Sequence, residues 1–399
     1  MQPSSATTAI SQTKASANRR VLIGVYIVVV FLYWMGLYMY SPTLPNYVKT
    51  RTSDLAMVGT VLSMYGLWQA IVRLPVGIVE DWIGRRKPFL IGGLALVGIG
   101  ALVLGTASSI NGMLVGRAIT GMAAATWVPL VVIFSSLFPP EEAVRATGIL
   151  TVVGSASRML ATSLTGFINQ ASHGYSMAFF MAASMAMLSI LVALPIKEHP
   201  RQPVKPTPSS FWRILRTRSV LMPTLLNTVS QHATWATVSS FIIVQAKNYG
   251  ASDIAQSLLV TLNGALYTIG NLLATVIVKR TGTRSLVLVS FILLALGIGV
   301  AALAPSMPLI FVATFIIGLA SGINYPILMG MSIEKVSEAE RNTAMGLHQA
   351  VYGIGMFSGP WLGGILAQSA GIQPMFGVTA AGTLILGLAG VAFLRKKVA

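Results

Sequence analysis

Residues 77–87 of this 399-residue chain read Gly-Ile-Val-Glu-Asp-Trp-Ile-Gly-Arg-Arg-Lys, and a long apolar segment precedes them. A glycine at Gly84 permits a tight turn after a helix, and a glycine at Gly77 lets two helices approach closely. Three consecutive basic residues follow Gly84, and such residues gather where a membrane-spanning helix meets the cytoplasm. The stretch therefore predicts a turn between two membrane spans, with Asp81 at the membrane edge.

The overall composition also indicates a membrane protein. Hydrophobic residues make up 54% of the chain and charged residues only 9%, against about 25% in ordinary soluble proteins. A soluble fold of this size could not hide so much apolar surface from water. Cysteine is absent, which excludes disulfides, thiolate metal ligands and a cysteine nucleophile. The formal net charge of +17 leaves two explanations, nucleic-acid binding or basic cytoplasmic loops.

Twelve segments are long and apolar enough to cross a bilayer, because a span needs roughly 20 mainly apolar residues. They are residues 21–40, 57–79, 89–106, 113–138, 146–168, 177–196, 220–244, 254–278, 286–303, 309–333, 344–366 and 375–394. In lipid each segment must be helical, since its backbone groups find no water to bond. The sequence therefore predicts an all-α membrane protein.

The distribution of basic residues orients these spans. If both termini are cytoplasmic, the loops on the other side hold only three basic residues, Lys49, Arg51 and Lys247. Apart from three arginines inside spans, the rest of the 27 Lys and Arg residues then lie on the cytoplasmic side. The positive-inside rule requires this asymmetry, which explains the net charge without nucleic acid.

A polar, proline-containing stretch divides the spans into six and six. We predict an N-terminal cytoplasmic tail (1–20), a six-helix bundle (21–196), a cytoplasmic linker (197–219), a second six-helix bundle (220–394) and a C-terminal tail (395–399). Residues 211–216 of the linker predict a short amphipathic helix on the inner membrane surface. The halves share a weak repeat, because Ser-Asp pairs precede the second and eighth spans. Such repeats are typical of transporters with a substrate site between the halves.

Residues 77–87 match the G-x-x-x-D-x-x-G-R-[RK] loop of the major facilitator superfamily, and residues 117–121 resemble its R-x-x-x-G element. The chain therefore resembles this superfamily along its whole length, nearest to its drug and metabolite exporters. The resemblance implies the major facilitator fold, with twelve transmembrane helices in two pseudo-symmetric bundles of six. It also implies a conformational latch in the loop, formed by Gly77, Asp81, Gly84, Arg85 and Arg86.

A second element of the family lies at an unusual place. Antiporter members commonly show G-x-x-x-G-P-x-x-G-G in the fifth span, whereas here it occupies residues 355–364 in the eleventh. This displacement weakens the case for antiport. A Gly-Pro pair loosens a helix, and small residues let it pack tightly on a partner. We interpret the motif as a helix-packing element made by Gly355, Gly359, Pro360, Gly363 and Gly364.

Arginines are the charged residues inside the predicted spans, whereas all ten acidic residues lie in loops or near span ends. An unpaired arginine at a span centre opposes insertion by about 2.5–3.5 kcal/mol, so each must meet water, a polar partner or an anionic ligand. Helical spacing places Tyr65, Gln69 and Arg73 on one face, and similar polar stripes recur in later spans. Together they predict a central substrate cavity lined by Tyr65, Gln69, Arg73, Arg117, Arg158, Gln231, His232, Trp235, Asn263, Tyr267, Asn271, Asn324, Tyr325, His348, Gln349 and Tyr352.

Several of these residues also fit a structural role. Single amides often bond a neighbouring helix, and a histidine such as His232 or His348 is often a hydrogen-bonded core residue. Arg117 fits a strut to backbone carbonyls equally well. Residues at the ends of spans are expected to anchor the chain at the membrane–water interface, namely Tyr38, Tyr40, Lys49 and Arg51.

The resemblance implies a secondary transporter that works by alternating access. Arginines without an intramembrane carboxylate favour an anionic, zwitterionic or amphiphilic metabolite or drug over a cation. For a transporter of this kind we expect efflux coupled to protons. An uncoupled facilitator, an organic-anion exchanger or an uptake carrier fits the same residues, and a membrane sensor or scaffold with this fold is the alternative of another class. No catalytic pair indicates an enzyme, and we expect no cofactor or metal. We expect a monomer in the bacterial cytoplasmic (inner) membrane, with a small-molecule solute, protons and the lipid bilayer as its partners.

Overall fold

In the computed structural model the chain is described for residues 5–139, 142–196, 213, 214, 216–337 and 340–394, without the side chains of residues 5–18, 81, 143, 144 and 342. The described residues contain helices and no β-strand. The first half contains α1 (Ser5–Tyr38), α2 (Leu44–Lys49), α3 (Leu55–Ile83), α4 (Lys87–Thr106), α5 (Ile110–Ala125), α6 (Trp127–Ser135), α7 (Ala143–Ser172) and α8 (Ser176–Ala193). The second half contains α9 (Arg218–Ala236), a π-helical turn (Thr237–Phe241), α10 (Ile242–Asn248), α11 (Asp253–Thr281), α12 (Thr283–Leu303), α13 (Met307–Ile333), α14 (Arg341–Ala370) and α15 (Ile372–Phe393).

Each of the twelve predicted segments is helical over most of its length. Ten helical segments among the described residues are long and apolar enough to cross a membrane. The other two predicted spans, α7 and α9–α10, carry more polar side chains. In α7 these side chains bond α1, since Ser157 donates to the carbonyl of Phe31 (2.5 Å) and Thr165 to that of Met39 (2.6 Å). The fold is an all-α membrane fold, consistent with twelve crossings.

One predicted span is a broken helix. Helix α5 gives way to α6 because Pro129 has no N–H to donate to the carbonyl four residues earlier. Carbonyls next to the break accept side-chain hydrogen bonds instead, and Tyr33 donates to that of Ala123 at 3.1 Å. The break therefore provides backbone acceptors at the centre of the first half.

The predicted repeat is visible in how the helices pack. Gly121 of α5 lies so close to α3 that an added Cβ would be 2.5 Å from the carbonyl oxygen of Tyr65. Gly318 of α13 lies similarly against α11, where an added Cβ would be 2.9 Å from the carbonyl oxygen of Asn263. Both α3 and α11 are followed by a glycine with positive φ. The two halves therefore reuse one packing arrangement.

The chain termini and the linker are only partly described. Helix α1 begins at Ser5, so the predicted tail 1–20 is largely a continuation of the first helix. The predicted linker and the tail 395–399 fall mostly outside the described residues. Of the predicted short helix 211–216, residues 213, 214 and 216 are described, and they are helical.

The two ends of the bundle differ in charge. We call the end at which Arg19, Arg86, Arg145 and Arg284 lie the basic face, and the end that holds α2 and the loop between α10 and α11 the opposite face.

The two halves meet closely at the opposite face. Asn46 of α2 donates to the side-chain oxygen of Gln256 in α11 at 2.7 Å. Asn169 of α7 donates to the carboxylate of Asp253 at 3.4 Å. The backbone N–H of Leu55 donates to the Gln368 side chain at 2.8 Å. The bundle is therefore closed at the opposite face.

Tyr40 does not anchor the chain at the interface as predicted. It is 1% exposed, and its ring stacks on Phe179 with the ring centroids 4.6 Å apart. The prediction is wrong because the turn from α1 into α2 folds Tyr40 inward. Tyr38 also points into the bundle, where its ring centroid lies 5.9 Å from the Arg158 guanidinium. Lys49 and Arg51 do lie at the opposite face, where Arg51 is exposed.

Candidate functional site

Arg73 of α3 is 5% exposed although it carries a charge. Its guanidinium donates to the Tyr352 hydroxyl of α14 at 3.2 Å and to the carbonyl of Ala124 at 3.4 Å. Its Nε–H has no hydrogen-bond partner among the described residues. A buried donor without a partner costs about 1–3 kcal/mol unless water or a ligand completes it. Arg73 therefore has the geometry of an anion-binding group.

Arg158 of α7 is half-buried beside aromatic rings. Its guanidinium carbon lies 4.6 Å from the ring centroid of Trp34 in α1, and it donates to Ser155 Oγ at 3.3 Å. Trp34 is 8% exposed, and its Nε1–H lacks a partner in the described part of the chain. Sequence reasoning missed Trp34. The available signal was its spacing of four residues from Tyr38, which places both rings on one face of α1.

Arg117 packs against Tyr65, with 4.3 Å from its guanidinium carbon to the ring centroid. Tyr65 in turn stacks on Trp235 of α9, with the ring centroids 5.4 Å apart and an interplanar angle of 18°. A cation of the first half is therefore linked through Tyr65 to an indole of the second half. In this position Arg117 supports one wall of the site.

Three tyrosines of the second half form a chain of ring contacts. The centroids of Tyr267 and Tyr325 are 6.2 Å apart, and those of Tyr325 and Tyr352 are 6.0 Å apart. Tyr352 is the residue that binds Arg73, so the chain of rings continues into the first half. The three predicted site residues lie on separate helices, α11, α13 and α14, and the structure brings their rings into contact.

His348 lies between packed helices in the core of the bundle and does not line a cavity. It is fully buried, with its Nδ1 2.9 Å from Thr224 Oγ1 and its Nε2 2.8 Å from the Asn227 amide. These bonds hold α9 to α14, so the prediction that His348 lines the cavity does not hold. His232 is half-buried, and its Nδ1 lies 2.9 Å from the Ser358 hydroxyl.

The asparagines of the α11 stripe bond backbone carbonyls. Asn271 donates to the carbonyl of Tyr267 at 3.3 Å, and Asn263 to that of Thr314 at 3.5 Å. Their amides therefore support the helices that carry the tyrosines, which matches the structural alternative raised for single amides in spans.

Other predicted site residues carry buried polar atoms that have no partner among the described residues. These atoms are Gln69 Oε1, Gln349 Oε1 and both amide atoms of Asn324. Buried polar groups without partners are rare, and bound water or a ligand usually accounts for them. Gln231 is half-buried on α9, one turn from Trp235. The centre of the bundle is therefore suited to a polar ligand.

The charges at the centre of the bundle are positive. Within the described residues, the ion pairs lie at the two ends of the bundle, as between Glu80 and Arg86 and between Lys247 and Asp253 (3.4 Å). No ion pair of Arg73, Arg117 or Arg158 occurs among the described side chains. An anionic ligand would therefore not be repelled by a negatively charged side chain of the described residues there.

Comparison with known proteins decides the family. Residues 26–245 and 224–399 match the Major Facilitator Superfamily. The chain belongs to this superfamily. It is accordingly a membrane transporter of small solutes and not an enzyme.

Individual members of the superfamily are distant in sequence. The inner membrane transport protein YajR of Escherichia coli (strain K12) is 29% identical over 161 residues, which cover 40% of this chain and 35% of YajR. The quinolone resistance protein NorA of Staphylococcus aureus (strain MRSA252) is 22% identical over 90% of this chain and 93% of NorA. A crystal structure of a nucleoside transporter NupG variant has a TM-score of 0.80 at 17% identity, over 94% of this chain and 100% of that chain. This likeness shows the shared fold.

The superfamily loop after α3 ends the helix with Gly84, whose φ of +67° favours glycine. Glu80 is 4% exposed and pairs with Arg86, a contact that sequence reasoning missed. The predicted latch residue Asp81 has a side chain outside the described part, and Arg85 is exposed. The close approach predicted at Gly77 is wrong, because an added Cβ there would meet no atom within 4 Å.

The Gly-Pro element of this superfamily member packs α14 against two helices. An added Cβ at Gly355 or Gly359 would lie 2.2 or 2.4 Å from carbonyl oxygens of α9. One at Gly364 would lie 2.6 Å from a carbonyl oxygen of α3, and the Pro360 carbonyl also contacts α3. An added Cβ at Gly363 would lie 3.4 Å from the Phe241 ring, an ordinary contact. Gly355 and Gly359 therefore pack α14 within the second half, and Gly364 brings it against the first half.

Proposed function

We propose that this transporter exports an anionic or zwitterionic organic solute, a metabolite or a drug, in exchange for protons. The observation that carries the proposal is Arg73, which is buried at the centre and whose Nε–H has no partner among the described side chains and backbone groups. Holding such a charge inside a membrane is unfavourable by about 2.5–3.5 kcal/mol unless something compensates it. A carboxylate on the solute supplies both the missing charge and the missing acceptor.

The proposed location is the bacterial cytoplasmic membrane, with the protein acting as a monomer. The basic face is then cytoplasmic, in agreement with the positive-inside rule. The contacts at the opposite face, such as Asn46 with Gln256, support a state that opens to the cytoplasm in this orientation. Rocking of the two halves about the central arginines would expose the solute to the other side.

Export of a drug-like solute is supported by similarity to NorA, a relative named for quinolone resistance. In the sequence, all ten acidic residues lie in loops or near span ends, so a central carboxylate is not available to carry the proton. Under this proposal the proton travels on His232, which is half-buried between α9 and α14, or on the solute's own carboxylate.

A second candidate is an exchanger or facilitator for organic anions. It is favoured by the same uncompensated arginines, because an empty carrier must move them through its occluded state with their charge exposed to a low dielectric. A bound anion removes that obstacle in both directions. Exchange of one anion for another would then need no proton.

The experiment is transport into liposomes that contain the purified chain, with benzoate and benzylamine as a matched anion and cation. We expect benzoate transport, and a loss of at least about tenfold in Arg73→Gln, since a charge-assisted hydrogen bond is worth about 1.5–3 kcal/mol. Arg145→Gln is the control, because Arg145 is 70% exposed at the basic face. Preference for benzylamine that Arg73→Gln leaves unchanged would refute the anion proposal. Dependence on an imposed pH gradient, or instead on an internal anion, separates the two candidates.

A further inference from the structure

We propose that the solute is an elongated organic dianion with an apolar middle, whose two anionic ends bind Arg73 and Arg158. This inference rests on the proposed anion transport and names its substrate class. It follows from the placement of the two arginines, the surface between them and the donors left without partners at each.

The two arginines lie at different seams between the halves. Helix α3 packs against α14, and Arg73 bonds Tyr352 there at 3.2 Å. Helix α7 packs against α11, and Thr162, one turn from Arg158, has its hydroxyl 2.8 Å from that of Thr261. A single small anion at one seam therefore leaves the arginine of the other seam without a partner.

Aromatic rings of the first half connect these two positions. Tyr33 donates to the carbonyl of Ala123, next to the carbonyl that Arg73 uses, and its ring stacks on Trp127 with centroids 6.2 Å apart. Trp127 in turn lies 5.0 Å from Trp34, the ring beneath Arg158. A continuous chain of ring contacts thus links the two arginine positions. Tyr33 is 1% exposed, so the aromatic surface between the arginines consists of Trp127, which is half-buried, and Trp34, which is 8% exposed. This surface fits an apolar chain or an aryl group better than a hydrated one.

Each end of this surface has a buried donor without a partner among the described residues. At one end it is Arg73 Nε–H, and at the other it is Trp34 Nε1–H beside Arg158. Both groups donate and cannot accept, so an acceptor on the ligand would satisfy each of them. An anionic end group at each position satisfies the donor and neutralises the neighbouring guanidinium. Two ends of this kind make a dianion.

The test is binding to the purified full chain by isothermal titration calorimetry. The probes are α,ω-alkanedicarboxylates from butanedioate to dodecanedioate, each compared with its monomethyl ester, which keeps the length and removes one charge. We expect one favoured length at which the diacid binds at least about tenfold more tightly than the ester. The favoured length reports the separation of the two arginine sites.

Variants assign that advantage to the two arginines. Arg73→Gln and Arg158→Gln should each reduce the diacid's advantage over its ester to about twofold or less, because one anionic end then has no partner. Trp34→Phe keeps a ring but removes the Nε1–H donor, and it should reduce the advantage in part. Arg145→Gln is the matched control, and the thermal midpoint without ligand shows that each variant is folded.

The outcomes separate this inference from the proposed function. Diacids that bind no more tightly than their esters at any length would overturn the dianion, although anion transport would stand. An advantage that survives Arg158→Gln in folded protein would overturn it as well. Binding of neither diacids nor esters, together with transport of benzylamine, would overturn the proposed function itself.

Discussion

Asn46 and Gln256 form a buried hydrogen bond of 2.7 Å that joins the two halves at the opposite face. Asn46 is 5% exposed and Gln256 is fully buried. The Asn46 amide also donates to the carbonyl of Ile243 at 3.3 Å. A buried amide pair of this kind favours the closed arrangement, because opening must separate both groups from their partners. The pair therefore helps to set how often this face opens.

Asn46→Leu should shift the protein towards opening at the opposite face. It leaves Gln256 Oε1 buried without a donor, a loss of about 1–3 kcal/mol in the closed state. Spin labels at Ser53→Cys and Ser369→Cys measure the opening as a longer distance, and the natural chain contains no cysteine to interfere. Asn46→Leu combined with Gln256→Leu should recover part of the closed state, since the unmatched Gln256 Oε1 is then removed. Recovery is only partial because the bonds from Gln256 Nε2 to Ala251 and Asp253 are lost as well. An unchanged distance distribution in Asn46→Leu would contradict this role.

Gly66→Ala should destabilise the contact between α3 and α14. An added Cβ would lie 2.5 Å from the carbonyl carbon of Met356 and 2.6 Å from the nitrogen of Phe357, and backbone atoms cannot move aside cheaply. We expect a loss of about 1–3 kcal/mol, as for other overpacked sites. The thermal midpoint in detergent measures it. Gly377→Ala is the control, because its Cβ would meet no atom within 4 Å, and equal effects of the two substitutions would refute the packing argument.

Gly84→Ala and Gly77→Ala should differ in their effect on stability, although both glycines lie in the same family motif. Gly84 has a φ of +67°, so alanine there costs about 1–2 kcal/mol in backbone strain. Gly77 is helical with open space around it, so alanine should be neutral or slightly stabilising. Thermal midpoints and liposome transport measure both variants. Gly84→Asn should lose less than Gly84→Ala, since asparagine tolerates this conformation better.

The pairing of Glu340 with Arg213 predicts a pH-dependent contribution to stability. The hydrogen bond from Arg213, and then that from Ser337, lowers the pKa of Glu340 below its usual value of 4.5. A lowered pKa in the folded state means that the ionised carboxylate stabilises the fold above the usual pKa, and this contribution disappears as the pH falls through the lowered value. The thermal midpoint of Glu340→Gln should therefore lie below that of the natural chain near neutral pH and approach it in acid. High salt should reduce the difference, and Arg213→Gln should remove most of it, leaving the part due to Ser337.

Much of the fold could be predicted because it depends on local and cumulative properties of the chain. Apolar length alone marks spans such as α4 and α12, because lipid forces each of them to be helical. The turn at Gly84 was likewise predictable, since the required φ is a property of one residue. The break before α6 follows from the missing N–H of Pro129. Only the structure shows that Arg73 bonds a carbonyl beside this break.

The candidate site was harder to predict because its contacts join distant residues. Helical spacing grouped Tyr65, Gln69 and Arg73 on α3, but it could not show that Tyr65 stacks on Trp235 of the other half. His348 had the same sequence signal as a cavity residue, and only its two bonds to α9 show that it belongs to the core. Trp34 was overlooked because an aromatic residue in a span is most often packing or an anchor.

The sequence by itself determined that the chain is an all-α membrane protein of this superfamily with arginines inside its spans. Hydropathy, turn residues and charge asymmetry act along the chain, and each is readable there. The tertiary structure alone decided which groups face each arginine, because Arg73 finds its acceptors on α5 and α14 and Arg158 its rings on α1. Those partners depend on how the helices turn about their axes and meet, which is settled by packing across the whole bundle. The same packing left Arg73 Nε–H and Trp34 Nε1–H, at two ends of one chain of aromatic contacts, without partners in the described part of the chain.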